Sequence, residues 1–520
     1  MGTRMRAQPT QCLLAVLLPL FGAACSSASG GGTGGGPGND TKPDTDAGSA
    51  VEPDARAVTA TDAGAPDVHQ GDPAVSVVDA GPSGITKVAA GEYETFYLLD
   101  GRLYGVASTT YRLGAGDHPP SALFPPAEVA LPSTVTVVDT YGGLHFTVAA
   151  DSSGHVWQWG DIGANPALQN SNVPTQITPD SKGNEFSGVV SVAAGITTSL
   201  AVKSDGTVWV WDDCSGGLQG DGTAGSATVL QPIEVPIPLP SGVKITKALV
   251  QGVVVALASD GSVWSWGGGG TIANLGTNNS DYMHPHTLAT LPADIVDIAT
   301  GGNYSYALTS KGDVFAWGQY AEIAGMCSGW CPQTVPLSIN ATVGLPAAGS
   351  ATRVSSIYAN SEASYVILSD GTLWGWGSNG EGLVGNGVEP DYATTNPPYA
   401  WDWGKDDLLV ATAVHIAPGV HNFTRLFTGP ADVFYAYALT ADGQLYSWGR
   451  NKTGALGNGV YPMNSQQAAT YPNSWDVTTP TRVSPMTATD KPVSSPECVQ
   501  NPGAASCWCS AAGATGPQDC

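Results

Sequence analysis

Seven times along the chain two short, apolar-rich runs flank a glycine-containing turn. The turns are Asp100-Gly101, Ser153-Gly154, Asp205-Gly206, Asp260-Gly261, Lys311-Gly312, Asp370-Gly371 and Asp442-Gly443. Asp-Gly between two such runs signals a β-hairpin, because the pair readily supplies the two positive φ angles of a type I′ turn. A third short strand ending near glycine precedes each hairpin, as in Val189-Val-Ser-Val-Ala-Ala-Gly195. Successive turn glycines lie 53, 52, 55, 51, 59 and 72 residues apart. A period near fifty built from short strands implies a closed ring of small sheets, an all-β seven-bladed β-propeller.

The strand after each turn is aromatic: Val156-Trp-Gln-Trp-Gly160, Val208-Trp-Val-Trp211, Val263-Trp-Ser-Trp-Gly267, Val314-Phe-Ala-Trp-Gly318, Leu373-Trp-Gly-Trp-Gly377 and Leu445-Tyr-Ser-Trp-Gly449. The first copy is degenerate, Leu103-Tyr-Gly-Val106. Residues two apart on a strand share a face. Same-face tryptophans repeated in every unit therefore read as packing between blades rather than as a ligand platform. Glycines after the inner strands are expected where backbones approach closely near a central channel.

The run Tyr437-Ala-Leu-Thr-Ala-Asp-Gly-Gln-Leu-Tyr-Ser-Trp-Gly-Arg-Asn-Lys-Thr-Gly-Ala-Leu-Gly-Asn-Gly459 carries the pattern most completely, followed by Val366 to Gly387 with Asn379, Gly380, Gly382 and Gly385. On these residues the chain resembles the regulator-of-chromosome-condensation repeat, over about residues 85–486. The resemblance implies a seven-bladed propeller with a Pro-x-x-Val outer strand in each blade, the place that Pro232-Ile-Glu-Val235 and Pro480-Thr-Arg-Val483 fit. No hairpin follows Pro480–Val483, so this segment is expected to return and complete the blade begun by Ile85-Thr-Lys-Val-Ala-Ala-Gly91. The family includes nuclear guanine-nucleotide exchange factors and secreted bacterial inhibitors that bind enzymes by a propeller face.

Residues 1–24 read as a signal peptide. Arg4 and Arg6 precede an apolar run from Cys12 to Phe21, too short for a membrane-spanning helix. Gly22-Ala-Ala-Cys25 then resembles a bacterial lipoprotein signal, with Gly22 where Leu is usual; cleavage by an ordinary signal peptidase after Ala24 is the alternative. Lipidation of Cys25 would supply membrane affinity without a spanning segment. Removing residues 1–24 takes the formal charge from −25 to −27. That balance lacks the basic footprint of nucleic-acid binding. Residues 25–84, rich in Gly, Asp, Pro and Ala, cannot offset chain entropy by burial and read as a disordered linker. Gly30, Gly32 and Gly35 match a dinucleotide-binding spacing without strand or helix around them. Asp44 and Asp46 lack the later ligands of a calcium loop.

The loops between the aromatic and outer strands should crowd one rim of the disc. From the fourth repeat they carry aromatics outside the repeat rule: Tyr282 and Met283, Trp330, then Tyr399, Trp401 and Trp403 within an insertion of about 388–421 that also holds Asp402, Asp406 and Asp407, then Tyr461, Met463, Tyr471 and Trp475. Exposed aromatics with a polar rim mark binding surfaces, and coverage of their own loops is the competing reading. There is no Gly-x-Ser-x-Gly, phosphate loop or His-Glu-x-x-His. His284 and His286 near Asp281 supply too few ligands for a metal centre. Cys327 and Cys331 could close a small disulfide loop. In the tail, residues 487–520, Cys498, Cys507, Cys509 and Cys520 could form two bridges by three connectivities, with a zinc knuckle as rival. Cys214 is left over, a candidate for burial in the third blade.

Together these features describe a monomeric, envelope-anchored, non-enzymatic scaffold without cofactor, outer membrane or cell surface favoured over inner membrane, that binds a protein partner by one propeller rim. A glycan-binding or glycan-hydrolysing propeller is the alternative, and export argues against guanine-nucleotide exchange.

Overall fold

The computed structural model describes residues 84–483, apart from 93, 108–111, 117–125, 163–170, 227, 270, 320–331, 389–409, 431–432, 452–454 and 457–475. Backbone contacts divide the chain into Met1–Ala74 and Val75–Cys520, and every described residue lies in the second unit. Cys25, the linker and the Cys-rich tail fall outside the described residues. Within the described residues no helix is long and apolar enough to cross a membrane.

The second unit contains seven antiparallel sheets of four strands, each in simple sequence order. The innermost strands are Ile85–Ala90, Val137–Gly142, Val189–Ala194, Ile245–Val250, Ile295–Thr300, Val354–Ala359 and Phe423–Thr428. The outermost are Ala127–Glu128, Ser171–Gln176, Val229–Glu234, His286–Thr287, Gln333–Ser338, Val410–Ile416 and Val477–Val483. The chain folds as a seven-bladed propeller, as the period implies.

One turn expectation is corrected. Asp205 is not at positive φ; only Gly206 is, at 90°. Gly206 N–H bonds Lys203 O at 2.8 Å and Lys203 N–H bonds Thr207 O at 2.9 Å, so Ser204, Asp205 and Gly206 form a three-residue loop with glycine in the left-handed position. The Asp205 carboxylate accepts from Thr207 N–H at 2.9 Å, fixing the loop from within. A Cβ on Gly206 would lie 2.8 Å from Lys244 Cα in the next blade, so the turn docks where a side chain does not fit. Only the first turn has both central φ angles positive, Asp100 at 50° and Gly101 at 77°.

Ring closure also differs from expectation. Val477–Val483 does not return to the first blade; it pairs with Leu445–Gly449, Leu445 opposite Val483. The first blade is completed by its own outer strand, Tyr104 opposite Glu128. Pro126-Ala-Glu-Val129 is a further copy of the outer-strand motif. Each blade is thus contiguous in sequence, and side chains seal the ring. Tyr435 of the seventh blade hydrogen-bonds the carbonyls of Gly91 and of Glu94, the latter at 3.1 Å, in the first. Tyr437 OH lies 3.4 Å from Tyr97 OH, with the rings edge-on. Among the described residues no further strand pairs with the outer edges. Loop N–H groups bond four of them, Gly116 to Asn172 O at 2.9 Å, Ser181 to Pro232 O at 2.9 Å, Asn278 to Thr334 O at 3.2 Å and Gly387 to Thr478 O at 2.8 Å. Pro174, Pro232, Pro336 and Pro480 interrupt the same four, which blunts edge-to-edge association.

The second tryptophan of each Trp-x-Trp pair and its counterparts on the other aromatic strands are core. Trp159, Trp211, Trp266, Trp317, Trp376 and Trp448 are fully buried. Trp266 donates to Leu218 O at 3.0 Å, Trp317 to Asn274 O at 3.2 Å and Trp448 to Leu383 O at 2.9 Å, each in the preceding blade. The upstream tryptophans tie back to their own turns, as Trp209 Nε1 does to Thr207 Oγ1 at 2.9 Å.

Candidate binding face

In every blade the aromatic strand runs away from the hairpin turn, so the loop that follows it emerges at the opposite end. Those loops share one face of the disc, as the constant place of each repeat implies. Each aromatic strand from the second to the seventh blade ends on a residue of positive φ. Glycine stands there at 160, 267, 318, 377 and 449, and Asp212 in the third blade at 72°. The sequence shows this substitution directly, since Trp211-Asp212 replaces Trp-Gly.

The consequence is a buried carboxyl between two blades. Asp212 Oδ2 accepts from Ser199 Oγ at 2.6 Å and from Gln158 Nε2 at 2.7 Å, and Gln158 Oε1 in turn accepts from Trp211 Nε1 at 2.9 Å. Asp212 Oδ1 is buried without a hydrogen-bond partner among the described residues. Burial pushes the Asp212 carboxyl up to about 7, against the hydrogen bonds from Ser199 and Gln158. Cys214 is a buried free thiol, as expected; burial raises its pKa, and Asp212 and Asp213 reinforce this.

The described loops are held at their bases. Buried Asn379 Oδ1 accepts from Val384 N–H at 3.0 Å, while its amide reaches Val388 O at 3.2 Å. In the fourth blade, Asp281 lies between two histidines, 2.9 Å from His284 Nδ1 and 3.4 Å from His286 Nε2. Partial burial acts the other way, yet hydrogen bonds from His284 and from Met283 N–H hold the Asp281 carboxyl below its ordinary range. Among the described residues no group of three His, Cys, Asp or Glu could hold a metal ion. Tyr282 packs against a core cluster that contains Leu288 and Trp317, so it covers its own loop rather than offering a free ring. Trp330, Tyr399, Trp401, Trp403, Tyr461, Tyr471 and Trp475 lie outside the described residues, as do Cys327, Cys331, Cys498, Cys507, Cys509 and Cys520.

The channel narrows at this same face. Inner-strand ends converge so closely that a Cβ on Gly142 would clash with Ala90 O, and one on Gly301 with Asn360 O. These two positions require glycine for close approach, as the sequence implied. Gln251, where five of the other blades have glycine and the sixth blade has Asn360, spans the narrowing. Its Nε2 donates to Gly429 O across the ring at 3.3 Å.

A family model described as the regulator of chromosome condensation (RCC1) repeat matches residues 442–500, and a second model of that repeat matches 295–319 and 354–383. At those residues the chain matches the RCC1 repeat. Similar curated proteins include the E3 ubiquitin-protein ligase HERC2 of Mus musculus, 28% identical over 364 residues, covering 62% of this chain and 7% of HERC2. The ultraviolet-B receptor UVR8 of Arabidopsis thaliana is 25% identical, covering 75% of this chain and 82% of that protein. Thus the chain spans only a small fraction of HERC2 but most of UVR8. Among solved structures, Prp20p of Saccharomyces cerevisiae, reported with its binding to Gsp1p and histones, superposes with TM-score 0.55 at 22% identity, covering 77% of this chain and 88% of that one. Human WBSCR16 superposes with TM-score 0.53 at 18% identity, covering 67% and 85%. At these identities the RCC1-like fold is what the likeness establishes.

Proposed function

We propose that this RCC1-repeat propeller is a non-enzymatic protein-binding scaffold, exported and held at a bacterial envelope through a lipidated Cys25, that meets its partner with the loop face. The observation that carries the reading is that all the aromatic-to-outer-strand loops leave the same face; in sequence, the segment joining the aromatic and outer strands of the sixth blade departs from the repeat rule at Trp401 and Trp403. RCC1-like propellers commonly mediate protein interactions, and Prp20p is reported as binding two protein partners. The scaffold itself is built from buried aromatics, which leaves recognition to the loops.

The test immobilises the full chain, identifies envelope proteins it retains, and measures their affinity for the Trp401→Ala/Trp403→Ala double variant. A partner whose affinity falls tenfold or more supports the reading. Retention of nothing beyond an equally acidic control, or equal affinity for the folded variant, overturns it. Anchoring is read separately, by incorporation of labelled palmitate that Cys25→Ala abolishes.

A further inference from the structure

The hairpin-turn face, opposite the loops, holds a second feature. The channel forms a well of about 460 Å³ lined by all seven inner strands, within the range of small-molecule sites. Its far end is the narrowing that Gln251 spans. Side chains alternate along a strand, so the third and fifth residues of each inner strand face the well. The fifth residues make a mainly apolar ring, including Leu249 and Phe427. Val138, at the second position of its strand, is exposed and also lines the well.

The third residues make a polar collar above that apolar ring, and its charges do not cancel. Lys87 of the first blade is ion-paired with Asp139 of the second. Lys247 of the fourth is paired with Asp297 of the fifth at 2.6 Å. Arg425 of the seventh has no carboxylate beside it among the described residues. Its Nη1 donates to Thr86 O at 2.7 Å, which sets the guanidinium at the seam with the first blade. On its other side stand Ser356 and the Tyr358 hydroxyl, both neutral. Within a chain of net charge −25 this seam carries the collar's single uncompensated positive charge. A planar fork of donors above an apolar shaft fits a carboxylate with an apolar body.

We propose that the well binds a small organic monocarboxylate, its carboxylate on Arg425 at the collar and its apolar body toward Leu249 and Phe427. This site is independent of the loop-face reading, since it opens on the other side of the disc.

The test measures thermal stabilisation and calorimetric binding of the full chain with phenylacetate, cinnamate and octanoate, each beside its neutral amide. Carboxylates are expected to raise the melting temperature where the amides do not. Arg425→Gln should weaken binding tenfold or more, and Leu249→Trp, which fills the shaft, should abolish it while the melting profile without ligand stays cooperative. The proposal is overturned if none of the carboxylates binds the wild type, if acids and amides bind alike, or if Arg425→Gln binds as the wild type does.

Discussion

The Tyr435 hydroxyl of the last blade reaches the carbonyl oxygen of Glu94 in the first at 3.1 Å. No strand crosses this seam, so buried tyrosines close the ring. Tyr435 and Tyr437 are both fully buried, and Tyr437 OH also lies 3.3 Å from Thr95 Oγ1. Replacing Tyr435 with Phe takes the hydroxyl donor from the buried Gly91 carbonyl at about 1–3 kcal/mol, whereas Glu94 O keeps the Gly91 N–H at 2.8 Å. The double variant Tyr435→Phe/Tyr437→Phe should cost more than either single change. Denaturant unfolding should show a lower midpoint in each. An unchanged midpoint in the double variant would mean that packing alone closes the ring.

Asp212 makes stability fall as pH rises. Its folded pKa of about 7 stands above the ordinary 3.8, so the folded chain holds a proton that the unfolded chain releases. Below about pH 4 both states are protonated and there is no penalty. Between about 4 and 7 the penalty grows, toward an upper bound of about 4 kcal/mol. Asp212→Asn keeps a side chain that tolerates positive φ and removes the ionisation. The variant should exceed the wild type in stability at pH 8 and approach it at pH 4, measured by urea unfolding at both. A constant difference at the two pH values would contradict this account.

The blades were legible because each must repeat the same solution about every fifty residues. The Asp-Gly turns and the Trp-x-Trp strands mark it in single residues. The seam is hard to read because Pro126-Ala-Glu-Val129 follows the one degenerate aromatic strand, Leu103-Tyr-Gly-Val106, and holds a two-residue strand, too short to show alternation. Asp212 was visible as a departure from Trp-Gly, but its burial depends on Gln158 of the neighbouring blade, 54 residues away. The collar was hidden for the same reason. Lys87, Asp139 and Arg425 each look like an ordinary solvated charge until the strands stand in a ring.

Blade-to-blade tryptophans should differ in cost by their polar handle. Trp266 Nε1 donates to Leu218 O, whereas buried Trp159 Nε1 has no hydrogen-bond partner among the described residues. Trp266→Phe and Trp159→Phe lose similar volume, but only the first strands a carbonyl. Trp266→Phe should be the more destabilising by about 1–3 kcal/mol in matched unfolding curves. Equal losses would assign both residues to volume alone.

The narrowing of the channel can be tested at Gly301. Its φ is not in the left-handed region, so alanine is tolerated by the local backbone. The obstacle is tertiary, because the added methyl would meet Asn360 O of the sixth blade and the Tyr304 ring. Overpacking of this kind typically costs about 1–3 kcal/mol. Gly301→Ala should therefore destabilise, whereas Gly349→Ala, where a Cβ would meet no atom within 4 Å, carries only the backbone cost of its φ of 77°. If the inner strands converge as described, Gly301→Ala should also speed amide hydrogen exchange at Asn360, whose N–H bonds Ala363 O at 3.0 Å, while Gly349→Ala leaves that amide unchanged. Equal exchange at Asn360 in both variants would show that the strand ends are not in contact.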